Sequence, residues 1–247
     1  MSGDGFDVRS LSLTFRDGAR LDRHAHPWGQ LVFGATGAIR VITDEAAWLA
    51  PPTRAVWVPP GAGHELIMVG ETALRTLYIA PERAAALPPD LRVVGVAPLL
   101  REVILHILKI GMLDPGQPPH DRLAGLLIDL MREAPPLDLA LPLPRDPRAR
   151  TVAERLQAAP DDRSDLAGLA HTAGASLRTL QRLFRAETGL TLEAFRQKAR
   201  LIAAAAALGA GTPVTSAALD CGYESPSAFI AAFKKQFGVT PGRFGAG

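Results

Sequence analysis

Cysteine is almost absent from this sequence, and long apolar runs are absent altogether. Cys221 is the single cysteine among 247 residues, so an internal disulfide is impossible and a reducing compartment is favoured. The N-terminus has no positive charges followed by an apolar run, and no segment is apolar over the ~20 residues that a membrane-spanning helix needs. We therefore expect a cytoplasmic protein without an export signal or a membrane partner.

Strong net charge is missing as well, although the two parts of the chain differ in sign. The formal net charge is +2, and 47% apolar and 21% charged residues are typical of a globular chain that is long enough for two domains. Residues 148–247 carry 13 Lys and Arg against 8 Asp and Glu, whereas the remainder carries 14 against 17. A basic C-terminal part favours nucleic-acid binding, but a solvated basic face without a partner has the same composition.

The most informative region is a pattern that occurs twice near the C-terminus. The first copy is DLAGLAHTAGASLRTLQRLFRAETGLT at 165–191, and the second is VTSAALDCGYESPSAFIAAFKKQFGVTP at 214–241. Gly174 and Gly222 stand at equivalent positions between two short helical patterns, where a left-handed turn is needed. A repeat this short predicts one supersecondary unit used twice, and each unit is predicted to be a helix-turn-helix.

The second helix of the first unit is predicted at Leu177–Thr188, with Ser176 as its N-cap. One exposed stripe of this helix carries long hydrogen-bond donors, and such donors can bond base edges in the major groove. The predicted DNA contacts of this unit are Ser176, Arg178, Thr179, Gln181, Arg182 and Arg185.

The corresponding helix of the second unit begins at Pro226, after the cap Ser225. Its exposed face has few hydrogen-bonding side chains, so we expect phosphate contacts and apolar contacts with thymine methyl groups rather than base discrimination. The predicted DNA contacts of this unit are Ser225, Ser227, Ala228, Lys234 and Lys235.

Residues 1–82 are rich in short β-branched and aromatic runs separated by Gly and Pro, which predicts a small antiparallel barrel or sandwich. Residues two apart in a strand face the same side, so His24 and His26 are expected to point together. A Gly/Pro turn delivers His64 to the start of a later strand. Three imidazoles can hold a divalent ion such as Zn, Ni or Fe.

These clusters resemble the two cupin motifs, and the resemblance implies metal ligation by His24, His26, Gln30 and His64. Gln30 stands where the metal-binding pattern has Glu, which removes a negative charge and weakens the site. Met68 stands where the second motif usually has Asn. The alternative is a metal-free pocket in which the histidines hydrogen-bond a small effector or each other.

All three tryptophans of the chain lie in this N-terminal part. Aromatic side chains with a polar edge suit a ligand pocket, although core packing is the usual role for at least two of them. The predicted lining of an effector pocket is Trp28, Val32 and Trp57.

Residues 83–147 change to a helical pattern with apolar residues at spacings of three and four. The pattern predicts a helix at Val93–Ile110 and a shorter one around Leu123–Leu130. A pair of helices this apolar must be buried, so we predict a homodimer through Val93–Ile110, with packing inside one chain as the alternative. The Pro-rich segment Leu137–Pro147 is predicted to be an extended linker at the domain boundary.

The C-terminal repeat is similar to the DNA-binding domain of the AraC/XylS family, most specifically in LQRLFRAETGLT and GYESPSAFIAAFKKQFGVTPGRF. The resemblance implies two helix-turn-helix units, joined by a long helix, that read adjacent major-groove segments behind a cupin-like sensor domain. Two departures reduce the expected grip on DNA. The connecting helix has the alanine run Ala203–Ala207, and Ala231 stands where an arginine is common.

The sequence therefore predicts an α+β protein with a cupin-like β-barrel at 1–82, a helical linker and dimerisation segment at 83–147, and an all-α double helix-turn-helix domain at 148–244. The predicted function is a sequence-specific transcription regulator that binds promoter DNA and responds to a small molecule or metal. The alternative is a metal-dependent cupin dioxygenase or isomerase, which Gln30 and the lack of a general base beside the histidines disfavour. A third possibility is a constitutive DNA-binding protein with an empty barrel.

Overall fold

The computed structural model describes residues 5–245, which divide into two compact units. The first unit comprises residues 5–42 and 48–138, and the second comprises 43–47 and 139–245. The first is built mainly of strands and the second mainly of helices, which confirms the predicted α+β class. The division falls between Asp138 and Leu139, inside the segment predicted to be the linker.

Two sheets form the first unit. Their strands are β1 (Val8–Phe15), β2 (Arg20–His24), β3 (Gly29–Gly34), β4 (Ala38–Ile42), β5 (Ala46–Ala50), β6 (Arg54–Val58), β7 (His64–Val69), β8 (Thr72–Ile79), β9 (Arg92–Gly95), β10 (Met112–Leu113) and β11 (Pro136–Leu137). The larger sheet has the strand order β10-β1-β8-β3-β6-β9-β11, and the other contains β5-β4-β7-β2.

Three helices accompany these sheets, namely α1 (Pro81–Ala84), α2 (Pro98–Ile110) and α3 (Pro118–Glu133). The predicted Val93–Ile110 helix is wrong at its start, because Val93 lies in strand β9 opposite Val56 of β6. Valine side chains pack well on a pleated sheet, and the helix begins only at Pro98, which is tolerated at the first helical position.

The apolar face of α2 is buried within the first unit. Leu100, Ile104 and Ile107 of this helix share one core cluster with Leu31 and Trp57 of the larger sheet. Since successive residues of a strand face opposite sides, the intervening Gln30, Val32 and Thr76 face away from these helices. Packing inside one chain therefore accounts for most of the apolar stripe on α2.

The second unit contains a short strand and seven helices among the residues that the structure describes. They are β12 (Ala140–Pro142), α4 (Pro147–Ala158), α5 (Leu166–Thr172), α6 (Leu177–Thr188), α7 (Leu192–Gly209), α8 (Val214–Asp220), α9 (Pro226–Phe237) and α10 (Pro241–Gly245). The helix predicted at Leu177–Thr188 coincides with α6, and the helix predicted to begin at Pro226 coincides with α9.

The two helix-turn-helix units use the same local chemistry. Gly174 has φ of 66° and Gly222 has φ of 78°, a left-handed conformation that favours glycine in the turn before the second helix. Phe184 of α6 is fully buried and meets Phe195 of α7 edge-on, with ring centroids 5.0 Å apart. Over residues 5–245, no helix combines the length and apolarity that crossing a membrane would need.

Candidate functional site

The exposed stripe of α6 is the first candidate surface for DNA. Arg178, Gln181 and Arg182 are exposed, whereas Leu180 and Leu183 of the same helix are buried. No hydrogen bond or ion pair holds these three polar side chains within the described part of the protein, so their donors are available to a ligand. Base edges in the major groove accept hydrogen bonds from such side chains.

Arg185 differs from its neighbours on this stripe because its guanidinium is already engaged. Its Nη1 donates to the carbonyl oxygen of Gly189 at 3.2 Å, and Gly189 is the left-handed residue that ends α6. This bond satisfies a carbonyl group at the end of the helix. Arg185 therefore has a structural role beside the DNA contact that the sequence predicted.

The N-termini of both candidate reading helices are capped by serines. Ser176 Oγ accepts a hydrogen bond from Thr179 N at 3.2 Å and lies 2.9 Å from Thr179 Oγ1. Ser225 Oγ accepts in the same way from Ala228 N at 3.2 Å. These bonds confirm the capping predicted for both serines and fix where α6 and α9 begin.

The exposed face of α9 has a different character from that of α6. Ser227, Ala228 and Ile230 are exposed along its first half, and Lys234 and Lys235 are exposed near its end. The apolar atoms and short hydroxyl suit close approach to a groove wall, while two ammonium groups suit phosphate oxygens.

Three arginines that the sequence did not single out hold the loop before α5. Arg155 donates to Asp162 Oδ2 at 2.7 Å, and Arg196 donates to the carbonyl oxygen of Ser164 at 2.7 Å. Arg200 donates to two further carbonyl oxygens of the same loop. Hydrogen bonds from the hydroxyl and the backbone N–H of Ser164, and to a smaller extent the Arg155 guanidinium, hold the pKa of Asp162 below its ordinary value. The one signal in the sequence was the spacing of Arg196 and Arg200, one helical turn apart.

The first unit brings together the three histidines that the sequence singled out. His24 lies on β2, His26 follows that strand, and His64 begins β7 opposite His24. One ligand atom from each ring lies within 4.8 Å of the other two. The ring centroids of His24 and His64 are 4.4 Å apart, so the three imidazoles form one compact cluster.

Every ring of the cluster has its Nδ1 beside a backbone carbonyl oxygen. The pairs are His24 with Asp22 at 2.8 Å, His26 with Trp28 at 2.7 Å, and His64 with Ala62 at 2.8 Å. A carbonyl oxygen can only accept, so Nδ1 carries the proton in each ring and Nε2 of the neutral ring is left with a free lone pair. This is the arrangement that orients metal-binding histidines.

Gln30 completes the cluster from the facing sheet. Its Oε1 lies 3.1 Å from His26 Nε2 and 3.0 Å from His64 Nε2, while its Nε2 donates to Thr76 Oγ1 at 3.0 Å. Burial is the main cause that lowers the pKa of His64 to about 4, so this ring is neutral at pH 7. Tyr78 closes another side, with its ring 5.2 Å from His26, and burial raises the pKa of its phenol.

The predicted effector pocket is only partly assembled. Val32 lies on the same face of β3 as Gln30, and Trp28 is buried with the Arg9 guanidinium 4.7 Å from its ring. Trp57, which was predicted to line the same pocket, faces the other side of the sheet from Val32. Its side chain belongs to the core on the opposite face of the sheet, and its Nε1 donates to the carbonyl oxygen of Pro88 at 2.8 Å.

Comparison with known proteins gives one family match in the N-terminal part of the chain and one in the C-terminal part. Residues 11–157 match the family described as AraC-like ligand binding domain, and residues 169–246 match the family described as helix-turn-helix domain. The HTH-type transcriptional regulator NimR of Escherichia coli K12 is 35% identical over 221 residues, which cover 90% of this chain and 81% of that protein.

Two further comparisons cover different shares of the chains. The HTH-type transcriptional regulator RipA of Corynebacterium glutamicum is 35% identical over 106 residues, which cover 43% of this chain and 32% of that protein. Among solved structures, ToxT from Vibrio cholerae O395 is 10% identical, with 97% of both chains covered and a TM-score of 0.42.

Two helix-turn-helix units that follow a β-rich unit in the chain define a DNA-binding transcription regulator with a separate ligand-binding domain. Both family matches and the length of the match to NimR agree with that class. The chain belongs to the AraC family of transcription regulators, as the sequence motifs predicted.

Proposed function

We propose that this regulator recognises the bases of promoter DNA mainly through α6 and contacts the DNA backbone through α9. We also propose that the histidine cluster is its sensing site. The unequal chemistry of the two helices supports the first part. Arginine and glutamine can bond guanine and adenine bidentately, whereas lysine and apolar contacts discriminate little between bases. Promoter DNA as the target implies that the protein works in the cytoplasm.

The division of labour between the two helices is tested by in vitro selection from random DNA, followed by affinity measurements. Variant Arg178→Ala is expected to lose preference at one position of the selected sequence. Variant Lys234→Ala is expected to bind more weakly to every sequence, with the selected sequence unchanged. Equal effects of both variants on the selected sequence would contradict the proposal.

We also propose that the cluster binds one divalent transition ion through Nε2 of His24, His26 and His64 and Oε1 of Gln30. The observation that supports it is the lone-pair arrangement. Nε2 of His26 and His64 both face an amide oxygen at about 3 Å, and with Nδ1 protonated these contacts join acceptors to acceptors. A cation between the atoms makes them favourable, and imidazole and amide oxygen are ligands that Zn, Ni and Fe accept.

The bound ion would supply a Lewis acid that holds a polar atom of a small effector beside Val32 and Tyr78. Sensing then requires the ion or the effector to bind one conformation of the protein more tightly than another. In the metal-free alternative, the Gln30 amide is rotated by half a turn, so that its NH₂ group donates to both imidazoles. The pocket then holds the effector alone.

Elemental analysis after metal loading and desalting separates these two arrangements. The full chain is expected to retain about one Zn²⁺ or Ni²⁺ ion, and His24→Ala and His64→Ala are expected to retain almost none. His106 is exposed on α2, so His106→Ala is the matched control and should retain the ion. A folded wild-type protein that retains no ion would contradict metal binding and favour the reversed amide.

A homodimer through α2 remains a proposal, now limited to the surface that packing inside the chain leaves free. Leu99 is 56% exposed, Ile110 is 37% exposed and the adjacent Met112 is 47% exposed. Leu99 and Ile110 are three helical turns apart and therefore lie on one side of α2. A two-fold axis through this stripe would bury both copies of each residue.

Sedimentation velocity at micromolar concentration, with and without DNA, tests the dimer. The wild-type protein is expected to sediment as a dimer and Leu99→Glu as a monomer. Leu219 is 61% exposed in the second unit, so Leu219→Glu is the matched control and should remain dimeric. A monomeric wild-type protein under both conditions would refute the interface.

We infer that the cluster is regulatory rather than catalytic, because the matching relatives are transcription regulators. Oxygen consumption by the iron-loaded protein, followed with candidate organic substrates, is expected to equal that of free iron. Turnover that depends on His64 would instead favour the cupin dioxygenase reading.

A further inference from the structure

Arg200 lies near the middle of the helix α7 that joins the two helix-turn-helix units, and it contacts both of them. On one side its Nε donates to the carbonyl oxygen of Pro160 at 2.9 Å, and its Nη2 donates to that of Asp162 at 3.0 Å. This loop leads into α5, the first helix of the first helix-turn-helix unit. Arg200 is half-buried, so its two bonds are partly shielded from water.

On its other side, Arg200 lies against the turn of the second helix-turn-helix unit. A β-carbon placed on Gly222 would lie 3.5 Å from Arg200 Cζ and 3.5 Å from Asp161 Cα. The turn of the second helix-turn-helix unit therefore lies so close to the arginine and the loop that one added methyl group would touch both. Gly174 is the equivalent turn glycine of the first helix-turn-helix unit. A β-carbon placed on it would have no contact within 4 Å among the described residues.

We propose that Arg200 is a positioning residue that sets the distance and rotation between α6 and α9, and so fixes the spacing of the two DNA elements that they contact. A planar guanidinium with several donors can bond two carbonyl oxygens while one face lies against a backbone turn. A single side chain thereby connects the loop before the first helix-turn-helix unit with the turn of the second helix-turn-helix unit. The inference rests on the proposed use of both helices on DNA.

Arg196 provides a matched control for this role. It lies one helical turn earlier on α7, is also half-buried, and donates to the carbonyl oxygen of Ser164 in the same loop. Its other partner is Glu193 on its own helix. Replacement of Arg196 therefore loosens the loop, whereas replacement of Arg200 also removes the side chain that lies between the loop and the turn of the second helix-turn-helix unit.

The experiment is selection from random double-stranded DNA with the full-length wild type, Arg200→Met and Arg196→Met. Sequencing of the bound fragments gives the distribution of spacings between the two elements. The wild type and Arg196→Met are expected to select one spacing, and Arg200→Met several. A one-base-pair insertion between the elements should weaken wild-type binding by at least ~10-fold and Arg200→Met binding by less than ~3-fold.

Circular dichroism and thermal melting identify which variants are folded. If Arg200→Met does not fold, Arg200→Lys serves in its place, since one ammonium group cannot occupy both carbonyl sites and is expected to broaden the spacing too. A single wild-type spacing in every folded Arg200 variant would overturn the proposal. A wild type that selects only one element would refute the proposed use of both helices, which is a separate outcome.

Discussion

Arg182→Ala is the substitution that best separates DNA reading from folding. Arg182 is exposed on α6 and makes no hydrogen bond or ion pair within the described residues, whereas its neighbour Leu183 is only 6% exposed. Alanine is as good a helix former as arginine, so the change in the free energy of unfolding should stay within about 0.5 kcal/mol. Leu183→Ala, in contrast, should cost about 2–5 kcal/mol in stability.

The expected loss in DNA binding follows from the chemistry of one guanidinium on one base pair. A bidentate contact to guanine contributes about 1–3 kcal/mol of discrimination. The dissociation constant for the selected site should therefore rise by roughly 5- to 150-fold. Binding to sites changed at the contacted base pair should weaken much less, because that contact is already lost.

Fluorescence anisotropy with the selected duplex and its single-base variants measures both effects. Arg16 is exposed at the end of β1, and Arg16→Ala removes the same charge from the other unit, so it controls for net charge. Equal affinity of wild type and Arg182→Ala for every duplex would refute the assignment of α6 as the reading helix.

Three further outcomes follow from the geometry. Lys235→Ala should weaken binding on all sequences and lower the slope of log affinity against log salt by about 1, and an unchanged slope would exclude a phosphate contact. Gln30→Glu should raise metal affinity roughly tenfold or more in competition with a chelating dye, because it adds a negative charge to a neutral ligand set; unchanged affinity would place Gln30 outside the coordination shell. Burial raises the pKa of the Cys221 thiol from 9.0 to about 11. The unfolded thiol therefore ionises first, so denaturant titrations should show stability falling as pH rises from 9 toward 11, and a flat profile there would contradict the burial.

The reading helices could be predicted from sequence because their signals are local. Ser176 before α6 and Ser225 before α9 are caps within three residues of the N–H groups they satisfy, and Gly174 and Gly222 are turn residues with positive φ. Short-range rules of this kind do not depend on the rest of the fold.

The histidine cluster could also be predicted, but the hydrogen bonds around it could not. The strand alternation of His24 and His26 and the motif ending at His64 identified the rings. The bond from Gln30 to Thr76 links residues 46 apart in the chain, and only the pairing of β3 with β8 brings them together.

The structure departs from the simplest sequence interpretation where a local pattern has two interpretations. Val93 fits an apolar helical stripe as well as a strand, and its pairing with Val56 decided for the strand. Trp57 suits a ligand pocket as well as a core, and the register of β6 turned it toward the helices. The bonds of Arg200 join residues about 40 apart in the chain, so no local rule identifies them.

Capture of host genomic DNA fragments by the purified full chain, followed by sequencing, tests the assignment as a promoter-reading regulator most directly. The wild type is expected to enrich fragments from promoter regions that share one sequence, and the double variant Arg178→Ala with Arg182→Ala is expected to lose that enrichment while remaining folded. Recovery of unrelated fragments by the wild type, or of the same shared sequence by the double variant, would contradict it.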